Sequence, residues 1–305
     1  MLIKVFVPAH ITAFFIPKFH EDPLLAGSLG AGINLDKGTN VFVNIDEEGL
    51  ERRVHITFNG EPVKKENAII SYSVANEVIP HKFTGEVEIW EYFDFPNGHG
   101  FGNSGGGALG TALSLAYAFK EKTFLQAAQI AHKYEVQYKG GLGDVIAQIH
   151  GGIEIRVKAG APGIGVVDNI LFEGYKVLAI PLGKLSTKEI LDSEVVKLIE
   201  KEGTLALEEV LKQPRVEILM NAARRFSEMT GLLSGDMLEI AKELDRVLTL
   251  PSSMVMLGKS LFALLKENEI EKTKAMLEEL SIENYYISDI YNQKPKVERW
   301  MGGSL

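Results

Sequence analysis

An α+β fold in two lobes is what this sequence predicts: a strand-rich N-terminal half carrying a phosphate-binding glycine loop, and a helix-rich C-terminal half. Three observations predict it. Segments of alternating apolar and polar residues crowd positions 1–100. From position 187 onward the apolar residues recur mainly at helical spacing. Between the two patterns, PNGHGFGNSGGGALG (96–110) sets seven glycines from Gly98 to Gly110 directly before an apolar helix-like run. AGAPGIG (159–165) is a Gly/Pro hinge, and it divides the chain into residues 1–165 and 166–305.

The elements follow in order. MLIKVFVPAHITAFF opens as a buried strand with a turn at Pro8. VFVNID (41–46) and RVHITF (53–58) alternate, and the short Glu47–Gly49 turn between them predicts a hairpin. EVEIWEYF (86–93) is a further strand. Residues 105–119 are helical, and so is 123–138, which opens on the capping-box spacing Thr123-x-x-Gln126. GLGDVIAQIHGG is a short helical turn between glycines, and IEIRVK (153–158) returns to strand. Beyond the hinge, 175–183 reads as strand, followed by helices at 187–202, 205–213, 215–230 and 236–247. The last segments read as strand (252–257), helix (258–279) and strand (284–289).

Composition narrows the function. The 305 residues, 46% hydrophobic and 24% charged, have ordinary soluble composition. A net charge of −9 without a basic block argues against a nucleic-acid surface. No apolar run reaches the roughly 18 residues of a membrane span. The chain has no cysteine, which excludes disulfides and thiol catalysis and fits a cytoplasmic location. Its seven histidines are scattered, without the spacing of a structural zinc site.

A glycine-rich turn at a helix N-terminus exposes unpaired N–H groups, and the helix dipole adds about half a positive charge there. Such a site favours phosphate. A Walker A loop is excluded because the stretch has no lysine; Gly258-Lys259-Ser260 lacks the earlier glycine. Gly100, Gly102 and Gly105 satisfy the dinucleotide fingerprint, but Glu121 lies between two helical stretches rather than at a second parallel strand. The protein-kinase loop joins two strands and needs sequences absent here.

The loop resembles, residue by residue, the second motif of the GHMP small-molecule kinases, P-x-x-x-G-L-G-S-S-A-A. It reads Pro96-Asn97-Gly98-His99-Gly100-Phe101-Gly102-Asn103-Ser104-Gly105-Gly106. A second motif of that family, an aspartate seven residues before a Gly-Gly pair that leads into a strand, is matched by Asp144 and Gly151-Gly152. Taken alone, Asp144 is most simply the N-cap of a short helix. Within the family the likeness is greatest to the archaeal pantoate kinase group, at PAHITAFFIP, SLGAGINLDKG, GHGFGNSGGGALG, GLGDVIAQIHGGIEIRVKAGAPG and SSMVMLGKSLFAL. Ala9 stands where that group's opening has glycine. Many members of the wider family have lysine or arginine at His10, and the third glycine motif has shrunk to Met256–Ser260.

The resemblance implies a GHMP kinase-like fold, ATP and Mg²⁺ as cofactors, pantoate as the small-molecule partner and a step towards coenzyme A. It allows a homodimer, and neither nucleic acid nor membrane is expected. Pro96, Gly98, Gly100, Gly102, Asn103, Ser104, Gly105 and Gly106 would hold the nucleotide. Ser104 and Glu135 would ligate the metal. Asp144 would sit at the acceptor hydroxyl as general base or electrostatic anchor. A carboxylate on the acceptor calls for an arginine fork, and Arg156 is the candidate, on a strand whose Ile153, Ile155 and Val157 face the other way. His132, one helical turn before Glu135, Ser28 and His10 complete the substrate set. Three alternatives stay open: another kinase of this type acting on a small hydroxy acid, a non-catalytic nucleotide-binding protein, and a Rossmann-type dehydrogenase.

Overall fold

The computed structural model describes residues 2–185 and 195–300. In chain order these form β1 (Leu2–Lys18), β2 (Gly27–Asp46), β3 (Arg52–Phe58), β4 (Glu61–Pro62), α1 (Ile69–Val78), β5 (Gly85–Phe93), α2 (Asn103–Phe119), α3 (Phe124–Gln137), α4 (Asp144–His150), β6 (Ile153–Lys158) and β7 (Val166–Ile170). There follow β8 (Lys176–Gly183), α5 (Val196–Lys212), α6 (Val216–Met229), α7 (Gly235–Asp245), β9 (Ser253–Met254), β10 (Lys259–Leu265), α8 (Ile270–Glu279), β11 (Tyr286–Asp289) and β12 (Lys296–Arg299).

Two long strands are the spine. β1 has 17 residues and β2 has 20, against about five or six in a common strand. They pair antiparallel along their length, with register shifts at Pro8/Ala9 and Thr12/Phe14. The turn expected at Pro8 is therefore a bulge. Proline has no N–H for the ladder, and the strand slips there and continues. Below the bulge Val5 and Val7 belong to one core, with Val41, Val43 and Ile89 of the sheet and Ala108, Leu109 and Ala112 of α2. Beyond it Ile11, Phe14 and Ile16 belong to a second core, with Ile180, Leu261, Leu219 and Phe226. Residues 8–12 thus lie where the chain crosses from one core to the other.

The first sheet runs β12-β1-β2-β5-β3-β4, with β6 against the early part of β2 and β7 outside β6; the second runs β11-β8-β10-β9. The ladders cross position 165, because β7 and β12 both join the first sheet. The hairpin expected across Glu47–Gly49 does not form. β5 inserts between β2 and β3, and β3 pairs with it in parallel. A parallel pair needs a crossover, and α1 supplies it; its β-branched IISYSV start hid it among the strands.

Two further expectations change in the second half. Residues 258–279 are not one helix, since Lys259–Leu265 forms β10, antiparallel to β8. A short, wholly apolar run such as LFALL has no periodicity to separate strand from buried helix. The helices expected at 187–202 and 205–213 are continuous as α5, and positions 186–194 lie outside the described residues. Gly203 does not break α5 because it faces β1, where a Cβ would come within 2.6 Å of the Phe15 carbonyl oxygen. The capping box at Thr123/Gln126 forms as expected. Among the described residues, no helix is long and apolar enough to cross a membrane.

Candidate active site

The glycine loop links β5 to α2. Gly98, Gly100 and Gly102 have φ of +82°, +88° and +68°, a left-handed conformation that glycine adopts without a Cβ penalty. The loop thereby folds back on itself and delivers α2 with Gly102 as its N-cap. The first bond of the helix runs from the Gly106 N–H to the Gly102 carbonyl, at 2.9 Å. The amides of Asn103, Ser104 and Gly105 therefore have no intrahelical acceptor. Asn103 points inward, donating to the Phe95 carbonyl (2.8 Å) and to Asn97 Oδ1 (2.6 Å). Its side chain braces the loop while its amide stays with the others. A cavity of about 350 Å³ opens over these amides, lined by Asn67, Ile70, Phe93, Gly98, Ser104 and Asp144 among others. That volume lies at the lower end of small-ligand sites. Met256 and Leu257, from the shrunken third motif, line it from the second sheet.

Acidic groups line or adjoin it. Ser104 Oγ donates to Glu135 Oε2 at 3.1 Å, and Glu135 is 2% exposed. Burial pushes the Glu135 carboxyl up to about 8, with the Asp144 and Glu91 charges adding to the rise and the Ser104 hydroxyl opposing it. Its Oε1 is buried without a partner. Asp144 is the first residue of α4, but the N-cap is Gly143 and no side chain caps the helix. The Asp144 carboxylate instead reaches back to His10 Nδ1, at 2.8 Å. Asp144 Oδ2 and Glu135 Oε2 both approach the position a Cβ would take at Gly141, so only glycine lets the two carboxylates converge.

Glu91, on β5, escaped the sequence reading. It is 1% exposed, lines the cavity and accepts from Thr111 Oγ1 at 3.4 Å. Burial pushes it up to about 7, against the pull of the Ser71 and Thr111 hydroxyls. Gly107 in α2 is its counterpart, since a Cβ there would collide with the Glu91 carboxyl. Glycine inside a helix costs up to about 1 kcal/mol, and that third consecutive glycine was the legible trace of the hidden acid. The raised value has a sign. Below the unfolded carboxylate range both states hold the proton, and as pH rises towards 7 the folded state loses stability relative to the unfolded one. Glu91→Gln is therefore expected to gain on the order of 3 kcal/mol relative to wild type at pH 8 and little at pH 4. Denaturant titrations at the two pH values measure this, and an equal change at both would remove the protonation argument.

A buried polar chain extends from Asp144. His10 Nε2 meets Glu154 Oε1 at 3.0 Å, and Glu154 Oε1 also accepts from Arg156 Nη1. His10 and Glu154 are wholly buried, and Arg156 is 1% exposed. Both faces of β6 are thus covered, and its alternation separates a polar buried face from an apolar one. Arg156 Nε and Nη2 have no partner. This free edge lies beside Ser28: a Cβ at Gly143 would sit 2.5 Å from Ser28 Oγ and 2.9 Å from Arg156 Nε. Gln148, a second residue missed in the sequence, donates from Nε2 to the Pro8 and Gly102 carbonyls, each at 3.0 Å. It ties the bulge to the glycine loop.

His132 faces elsewhere. It is 1% exposed, and its Nε2 donates to the Ala26 carbonyl at 3.0 Å. That bond anchors the chain entering β2 to α3. Burial lowers its pKa, keeping the ring neutral. The structure brings Ser104, Glu135, Asp144, His10, Arg156 and Ser28 together and turns the His132 ring towards the backbone before β2.

The arrangement combines an amide cradle for phosphates, a serine–carboxylate pair, a second carboxylate and an arginine edge. The GHMP kinases N-terminal domain family matches residues 70–152, which carry the cradle and all three acids lining or adjoining it. Pantoate kinase of Thermococcus kodakarensis is 63% identical over 302 residues, covering 99% of this chain and 100% of the relative. A solved structure described as a phosphotransferase related to the CoA biosynthesis pathway superposes with a TM-score of 0.95, at 62% identity, covering 99% of this chain and all of that one. Homoserine kinase from Cytophaga hutchinsonii shares the fold at a TM-score of 0.72 and 18% identity, covering 97% of each chain. With its amide cradle, its paired acids and a full-length relative at that identity, the chain belongs to the pantoate kinase family of the GHMP kinases.

Proposed function

We propose that this protein transfers the γ-phosphoryl group of ATP to the terminal hydroxyl of pantoate, giving 4-phosphopantoate and ADP, a step towards coenzyme A. The observation that carries the reading is the convergence of Asp144 and the Ser104–Glu135 pair on the cavity over the free amides of α2. The acceptor oxygen forms the new P–O bond as the bond from the γ-phosphorus to the β–γ bridging oxygen breaks. Asp144 holds the hydroxyl and takes its proton, and the amides of residues 103–105 stabilise charge on the phosphates.

The residues present fit Mg²⁺. Glu135 Oε1 is a buried acceptor without a donor, and a hydroxyl oxygen lies beside the same carboxylate. Magnesium binds through one or two protein oxygens together with substrate phosphates, and among the described residues no larger acidic or histidine cluster forms a closed cage. Ser104 and Glu135 would hold the ion, which neutralises β- and γ-phosphate charge when bound. Arg156 would take the pantoate carboxylate on its free Nε/Nη2 edge, with Ser28 beside it. Both are buried, next to the Gly143 backbone, which passes beside Ser28 Oγ and Arg156 Nε.

Incubation with ATP and a panel of small hydroxy acids tests the reading. Pantoate should be the preferred acceptor, with ³¹P NMR placing phosphate on its terminal oxygen. Preference for another hydroxy acid, or ATP binding without turnover, overturns it. Ser104→Ala and Glu135→Gln should each raise the magnesium concentration needed for half-maximal rate. Because both act on one ion, the double variant should lose less than the product of the single losses. Losses that multiply and ignore magnesium would separate the two residues.

A further inference from the structure

His10 stands at the change-over of β1 between the two cores, just after the Pro8/Ala9 bulge. Bulges commonly re-aim a side chain near a site. Its backbone N–H donates to the Phe101 carbonyl of the glycine loop, at 3.1 Å. Its ring crosses over β2 to reach Glu154 on β6, and Gly32 permits the crossing, since a Cβ there would collide with His10 Nε2. One residue therefore touches the nucleotide loop, the start of α4 and the strand that carries Arg156.

Its two ring nitrogens are both engaged by carboxylates, Asp144 at 2.8 Å and Glu154 at 3.0 Å. An ionised carboxylate only accepts, so each bridge needs its own proton. An imidazole that donates from both nitrogens is the imidazolium. Neither nitrogen remains for a substrate, so the ring acts through Asp144. We propose that His10 is a positioning residue for phosphoryl transfer, an imidazolium clamped between Asp144 and Glu154 that occupies Asp144 Oδ1 and leaves Oδ2 for the acceptor hydroxyl.

The charges balance. Asp144 and Glu154 are offset by His10 and Arg156; Arg156 Nη1 lies 3.4 Å from His10 Nε2 but has Glu154 Oε1 closer and donates there, while β2 presents Gly32 and Asn34, and the glycine loop presents Phe101 and Gly102. Burial alone would lower the His10 pKa, but the bonds to Asp144 and Glu154 outweigh it and raise it above its usual value. The ring therefore holds its proton to a higher pH than a free imidazole does, and loses it as the pH rises further.

The proposal rests on the phosphoryl-transfer reading of the site, and its first test needs no substrate. In ¹⁵N NMR of the free protein, the His10 ring signals, assigned by their loss in His10→Gln, should show both nitrogens protonated at pH 7. A neutral tautomer at pH 7 overturns the proposal, whatever the acceptor proves to be. The second test is kinetic. His10→Gln should lower kcat about 10- to 100-fold, within the range for a misaligned catalytic group, with the KM for ATP changed less than about twofold. It should also abolish the alkaline fall in kcat, and adding it to Asp144→Asn should cost little more. An unchanged alkaline limb, or losses that multiply, would reduce His10 to a structural residue. If His10→Gln does not fold, assignment through Glu154→Gln, whose side chain meets Arg156 and, among the histidine rings described, that of His10, keeps the NMR test decisive.

Discussion

Asp144→Asn is expected to lower pantoate turnover by about 10²-fold or more, the range for loss of a general base, while the fold and ATP binding persist. The geometry separates those effects. The Asp144 side chain makes no capping bond to α4, and the N-cap is Gly143, so the substitution removes no helix cap. Asparagine keeps an oxygen that can accept from His10 Nδ1, the partner now at 2.8 Å, and it matches the carboxylate in size beside Gly141. What it loses is the charge and the ability to take a proton at the second oxygen. Single-turnover rates at saturating ATP, with nucleotide affinity measured separately, make the comparison. Turnover within a few-fold of wild type would leave Asp144 as the first residue of a helix and nothing more.

The site was legible in the sequence where the chain runs continuously through it. The loop from Pro96 to Gly106 could be read because three left-handed positions demanded glycine at 98, 100 and 102 and because a helix began at once. Ser104 and Glu135, far apart in sequence, were paired only through the family's pattern, and their side chains do meet, at 3.1 Å. Residues that act across strands were not legible. Glu154 reads as one polar position of an alternating strand, and nothing in IEIRVK tells that its polar face is buried. That fact depends on β2 lying alongside and on Gly32 leaving room. His10 could be read as a departure from a basic residue but not as a bridge between two acids. Likewise, β3 and β5 could be seen as strands, but their parallel pairing depends on α1, whose β-branched start imitates strand.

Arg156→Lys is expected to reduce kcat/KM for pantoate about 10- to 200-fold, because charge-assisted hydrogen bonds contribute about 1.5–3 kcal/mol. Arg156 divides its guanidinium: Nη1 is held by Glu154, while Nε and Nη2 are buried without partners. Those two N–H groups form one edge of the planar fork, the edge that receives both oxygens of a carboxylate. A lysine would place its single ammonium on Glu154 and offer the acceptor no second donor. The net charge of the buried chain stays the same, so a general electrostatic role predicts little loss and a two-point contact predicts a large one. ATP affinity without pantoate should hardly move, since Arg156 is not among the residues lining the cavity over the α2 amides. The primary amide of pantoate keeps the terminal hydroxyl but has no negative charge. It should be a poor substrate for wild type and lose little further in the variant. Equal losses for pantoate and its amide would place Arg156 in support of β6 and Glu154, and the carboxylate would then need another partner near Ser28.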